Sequence, residues 1–189
     1  MTRHQCKWIV IGLFFTFFDF RLNSFNLVPD LAGWIIVIVQ MGGVNPKYKS
    51  YMSARNLAVI LLALSVPDLI TEQDVFSSGS LYYLVSIANS ILYLFFVWKL
   101  LEGVALQLKV QNWVQQSQSI WSFRKVYTIL TVIVIVFSAL AGSGQLSVDL
   151  ILNIWAIPVI ITLVLQVFLL IKLFDTRKII EEDNPVATM

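Results

Sequence analysis

The sequence predicts an all-α polytopic membrane protein, a bundle of six transmembrane helices in one domain. Three observations carry that reading: the composition, the spacing of the apolar runs, and the sidedness of the basic residues. Hydrophobic residues make up 58% of the 189 and charged residues only 13%, with a mean hydropathy of +0.81. Soluble domains average about 25% charged residues. The formal net charge is +2, and the basic residues are dispersed, so no nucleic-acid surface is implied.

The apolar runs fall at 8–20, 29–44, 56–70, 81–101, 126–141 and 150–174. Arg3 and Lys7 precede the first, as in a signal peptide. Asp19-Phe20-Arg21 follows where a small-residue cleavage site would stand, so the run reads as an uncleaved span. The second opens at Pro29-Asp30, which suits a helix start: proline lacks the N–H that would be unpaired there, and the carboxylate meets the positive end of the helix dipole. The third closes at Val66-Pro67-Asp68-Leu69, matching Val28-Pro29-Asp30-Leu31. Capping chemistry and chance account for a four-residue match.

These first three runs are short. Sixteen helical residues cover about 24 Å, against a hydrocarbon core of about 30 Å. Trp34, Tyr48 and Tyr51 could anchor shortened helices at the interface; a re-entrant first pair is the topological rival. The fourth run continues into a cytoplasmic helical extension over 99–124. Leu101, Val104 and Leu108 recur at helical spacing, and Leu106, Val110, Trp113 and Val114 form an adjoining stripe. The spacing predicts a helix unbroken through Glu102-Gly103 to Trp113, with Gly103 as its weakest point. Trp113 and Trp121 suit the interface. The tail over 175–189 is polar and is expected to fray.

With the N-terminus inside, twelve of the thirteen Lys and Arg residues fall on cytoplasmic connections, and Arg21 alone lies outside. That asymmetry predicts both termini in the cytoplasm of a cell-membrane protein.

The polar segment 19–34 is the candidate site. It packs Asp19, Arg21, Asn23, Asn26 and Asp30 between two apolar runs, and Asp68 joins them through the second Val-Pro-Asp-Leu. Ionisable groups at membrane depth cost about 2.5–3.5 kcal/mol each on insertion scales, so they mark pathways, pairings or partner sites. Two readings stand: a salt-bridged outer rim, with Arg21 held by Asp30 or Asp68, or a vestibule for a ligand or partner. Span interiors hold only Thr16, Ser65, Ser86, Asn89, Ser90, Thr128, Thr131, Asn153, Thr162 and Gln166 as polar groups, with no midplane carboxylate for a proton relay. Gly33, Gly42 and Gly43 on the second span permit close helix approach, within the chain or across a homodimer seam.

No catalytic residue, metal site or cofactor is expected. Cys6 is the only cysteine and His4 the only histidine, too few for a metal centre. Asp30 and Asp68 sit at helix ends without the Gly-rich surroundings of an intramembrane aspartyl protease.

The pattern Asn23, Leu27, Pro29, Asp30, Gly33 and Trp34, followed by a basic loop with Tyr48, Tyr51, Ala54 and Arg55, resembles uncharacterised small multi-pass membrane proteins of Gram-positive bacteria. The resemblance covers the first seventy residues or so. It implies a bacterial plasma-membrane location and a first hairpin that matters, and it brings no activity with it.

The expected function is therefore non-enzymatic. The chain would act in the bilayer through a membrane-protein partner, as an accessory, immunity or regulatory subunit, or as a homo-oligomer. A small transporter or channel using the outer vestibule is the alternative, and an intramembrane enzyme the least supported class. A continuous polar path across the bundle would separate a carrier from a scaffold.

Overall fold

The computed structural model describes residues 1–17, 21–22, 25–26, 30–44, 48–65, 79–142 and 156–182, of which 21–22, 25–26, 79–83, 142 and 181–182 are described by backbone alone. Six helices account for nearly all of them: α1 (Arg3–Phe17), α2 (Asp30–Gly42), α3 (Lys49–Ser65), α4 (Gly79–Val110), α5 (Val114–Gly142) and α6 (Ala156–Glu182). Between α1 and α2, β1 (Arg21–Leu22) and β2 (Phe25–Asn26) form a two-residue antiparallel ladder, with Arg21 opposite Asn26.

The all-helical architecture is as expected, but the six full spans are not. Among the described residues three stretches are long and apolar enough to cross a membrane: Leu84–Val110, Val114–Ala141 and Ala156–Ile180. The reason is length. Helices α1, α2 and α3 hold 15, 13 and 17 residues, about 20–26 Å of rise against about 30 Å of hydrocarbon.

Helices α1 to α5 pack mainly on their sequence neighbours, whereas α6 packs chiefly on α1, closing a ring; the α5–α6 seam is the loosest side. Side-chain contacts fix the helix directions. At one end, Ser117 Oγ donates to Ala105 O at 2.8 Å, Lys172 Nζ donates to Ser119 at 2.9 Å, and Cys6 Sγ donates to Leu173 O at 3.3 Å. These bonds join the starts of α1 and α5 to the ends of α4 and α6, as an up-and-down bundle requires. Arg3, Lys7, Lys49, Arg55, Lys109, Arg124, Lys125, Arg177 and Lys178 gather toward that end.

The helix expected to run on to Trp113 stops at Val110. Trp113 N donates to Leu108 O at 2.9 Å and Asn112 N to Lys109 O at 3.2 Å, while Asn112 adopts φ 64°. This is a Schellman stop with asparagine in the left-handed position usually taken by glycine. The stretch 99–124 is therefore a helical hairpin, half in α4 and half in α5. At the other terminus α6 persists to Glu182, and burial of Thr176 and Ile180 holds the part of the tail from Asp175 onward that was expected to fray.

Two close approaches set the packing of the shorter helices. A Cβ on Gly33 would come within 2.6 Å of Gly12 O, and one on Gly12 within 2.8 Å of Gly33 O. Gly33 thus serves packing inside the chain. Gly103 lies inside unbroken α4, where a Cβ would meet the Tyr51 ring at 2.7 Å. The missing side chain makes room for α3.

Candidate ligand cavity

Polar side chains from all six helices meet in one cavity of about 260 Å³ in the half of the bundle away from the basic end. Helix α1 brings Thr16, α2 brings Asp30 and α3 brings Ser65. Helix α4 adds Asn89, Ser90 and Tyr93, α5 adds Tyr127 and Thr131, and α6 adds Thr162 and Gln166. Spacings of three or four residues put each pair or trio on one helix face. A polar space of this size far exceeds the roughly 10–15 Å³ needed to hold one water.

The wall is rich in acceptors. Thr16 Oγ1 donates to Leu13 O at 2.9 Å, Ser65 Oγ to Leu61 O at 2.9 Å, Ser90 Oγ to Ser86 O at 2.9 Å and Thr162 Oγ1 to Pro158 O at 2.8 Å. Back-bonding to the preceding turn satisfies a hydroxyl proton inside an apolar bundle. Each oxygen keeps acceptor capacity, and the Asp30 carboxylate adds to it. Donors come from the Asn89 and Gln166 amides and from Tyr93, whose buried Oη has no hydrogen-bond partner of good geometry although Tyr127 is its close neighbour. Among the described residues, no Lys, Arg or His lines the space.

An aromatic cluster forms the base. Tyr93 meets Phe17 edge-on at 5.8 Å and Trp34 at 6.2 Å, and Trp34 meets Phe96 at 5.2 Å with nearly perpendicular rings. Toward the basic end the helices contribute Leu13, Val37, Phe96, Val97, Leu100 and Leu169, each with no exposed area. Beyond that layer lies a second polar cluster. Gln107 Oε1 accepts from Met1 N at 2.9 Å and from Tyr51 Oη at 3.1 Å, while Gln107 Nε2 donates to Met1 O at 2.7 Å. The two polar regions are separated by close-packed hydrocarbon.

The sequence-predicted site is only partly placed. Asp30 heads α2 and lines the cavity. Arg21 and Asn26 face each other in the β ladder. Asp19, Asn23 and Asp68, together with Pro29 and Pro67, lie outside the described residues, and so does the side-chain end of the expected Arg21–Asp30 pairing. Seven of the ten span-interior polar residues line the cavity. Their signal was positional: on each of the five helices that carry them they fall in the half nearer the non-basic end.

Among the described residues no group of three His, Cys, Asp or Glu could hold a metal ion. Comparison with family models, curated proteins and solved structures finds no match for this chain. The cavity's own chemistry is therefore the ground for a functional reading.

Proposed function

We propose that this membrane protein is a non-enzymatic binder of a small, uncharged polar group bearing O–H or N–H donors, held in the six-helix cavity. The carrying observation is convergence: every helix supplies at least one polar side chain to one space. Polar groups buried in hydrocarbon without partners cost several kcal/mol, so spending ten of them on one space favours a polar occupant. The acceptor-rich wall suits a hydrogen-bond donor, and the Asp30 carboxylate, with no lining cation among the described residues, disfavours an anion.

This reading moves the emphasis from a protein partner to a ligand. The close-packed layer of Leu13, Val37, Phe96, Leu100 and Leu169 argues against an open channel, and a carrier would have to part it. We place the protein in a bacterial plasma membrane with both termini cytoplasmic, on the strength of the basic asymmetry and the resemblance of the first hairpin.

Native mass spectrometry of the chain purified in mild detergent tests the proposal. A small-molecule adduct should appear on the wild type and be lost in Thr131→Val, which keeps the shape and removes a hydroxyl. A stoichiometric protein partner with no small-molecule adduct would return the reading to an accessory subunit.

A further inference from the structure

The α5–α6 seam carries a second space, a groove of about 330 Å³ lined by Val134, Ser138, Pro158, Val159 and Leu163 together with Thr162 and Gln166. It reaches the outer face of the bundle, where Val159 and Leu163 are each 52% exposed. Three residues, Val134, Thr162 and Gln166, line both this groove and the polar cavity. Those side chains form the partition between them.

The two spaces differ in chemistry and lie side by side. One is bordered by all six helices and has a largely polar set of side chains; the other is chiefly aliphatic and opens to the outer face of the bundle. They meet across the loosest seam of the ring, and the partition is amphipathic, with a valine, a threonine and a glutamine. A molecule that fills both must have a polar head and an apolar tail.

We infer that the cavity's ligand is a neutral lipid, with a hydroxyl-bearing head held in the polar cavity and an acyl chain lying in the α5–α6 groove, entering sideways from the bilayer. The inference rests on the binding reading above and narrows it to one class. Anionic phospholipids fit poorly, because Asp30 would face the phosphate and, among the described residues, neither space is lined by a cation. The head must be small, since about 260 Å³ lies at the lower end of ligand pockets. Free hydroxyls on the head supply the donors that the back-bonded Ser and Thr oxygens lack.

The test uses the full chain in phosphatidylcholine nanodiscs with a monoacylglycerol carrying a diazirine halfway along its chain. Photolysis should label the peptides bearing Val159 and Leu163 saturably, and unlabelled monoacylglycerol should compete where phosphatidylglycerol does not. Val159→Trp, which fills the groove, should abolish labelling. Gln166→Leu should weaken binding by about 2- to 10-fold, the worth of one hydrogen bond. Thermal unfolding of each variant confirms that it is folded.

Unsaturable labelling, or equal competition by phosphatidylglycerol, overturns the inference. So does unchanged labelling of Val159→Trp; if Thr131→Val still loses the co-purified small molecule, the cavity reading survives and only the lateral lipid route falls. Labelling abolished by Val159→Trp but untouched by Gln166→Leu would mean a tail in the groove with no head in the cavity, which also overturns it.

Discussion

Gly12 and Gly33 press against each other where α1 crosses α2, so closely that a Cβ on either would lie within 2.8 Å of the other's carbonyl oxygen. Both contacts are to backbone, which cannot swing aside as a side-chain end can. Without a strong hydrophobic drive between helices in lipid, such close packing is a main source of association. Gly12→Ala and Gly33→Ala should each lower stability by about 1–3 kcal/mol, the usual cost of overpacking. The double variant should cost less than the sum, because one displacement relieves both clashes. Unfolding in mixed micelles by titration with dodecyl sulfate measures this; additive losses would show that the helices do not share a single crossing.

Gln107 is the hub of the polar cluster near the basic end. It joins the chain before α1, Tyr51 on α3 and its own helix α4 through bonds of 2.7, 2.9 and 3.1 Å. Gln107→Leu would leave buried partners unsatisfied, at about 1–3 kcal/mol, whereas Tyr51→Phe removes one neutral bond worth about 0.5–1.5 kcal/mol. Thermal melts should therefore rank wild type above Tyr51→Phe above Gln107→Leu. The reverse order would mean that the phenol, not the amide, organises this end.

The Arg124 guanidinium is stacked between the Trp98 and Trp121 rings, 3.8 and 3.9 Å from their centroids, and the residue is only 8% exposed. Cation–π contacts contribute about 0.5–2 kcal/mol depending on desolvation. A lysine ammonium keeps the charge but lacks the planar face that fills the slot. Arg124→Lys should consequently destabilise nearly as much as Arg124→Ala and should alter the tryptophan emission. Full rescue by lysine would reduce the role of this residue to charge alone.

Cys6 offers a pH test. Burial pushes its thiol up to about 12, with the Arg177 charge opposing in part, against about 8.5 for an ordinary thiol. Between those values the unfolded chain has released the proton and the folded chain still holds it. The unfolded state then binds fewer protons, so stability falls as pH rises through that window and is intact below it. Wild type should lose more stability than Cys6→Ala between pH 8.5 and 11, and maleimide at pH 7.5 should label the chain only after unfolding. Rapid labelling of the folded protein would contradict the buried position.

Orientation in the membrane is checked by labelling. In a Cys6→Ser background, a cysteine at Ser78 should react in intact cells with an impermeant reagent, since the basic asymmetry predicts that the connection over 71–80 faces outward. Reaction only after permeabilisation would invert the topology.

Composition and apolar run length determined that this is a helical membrane protein, because the cost of exposing backbone and charge to hydrocarbon depends on local sequence. The gathering of basic residues toward one end was likewise legible, since alternate connections are counted along the chain. Asp30 was visible as a helix start; the shortness of the first three runs was visible too, but it did not displace the expectation of six spans, whereas among the described residues three helices are long and apolar enough to cross. The stop at Asn112 was not visible: the apolar spacing continues through Trp113 and Val114, and only the left-handed φ reveals the reversal. Nor was the cavity. Thr16, Ser65, Asn89, Ser90, Thr131, Thr162 and Gln166 are sparse polar residues along the chain, and the hydroxyls among them fit simple back-bonding. Whether they scatter over a lipid-facing surface or meet in one space depends on how each helix is rotated about its axis and how closely it approaches its neighbours. Those rotations are set by contacts between residues far apart in sequence, Gly12 on Gly33 and Gly103 on Tyr51 among them, and by the return of α6 to α1. No local pattern encodes them.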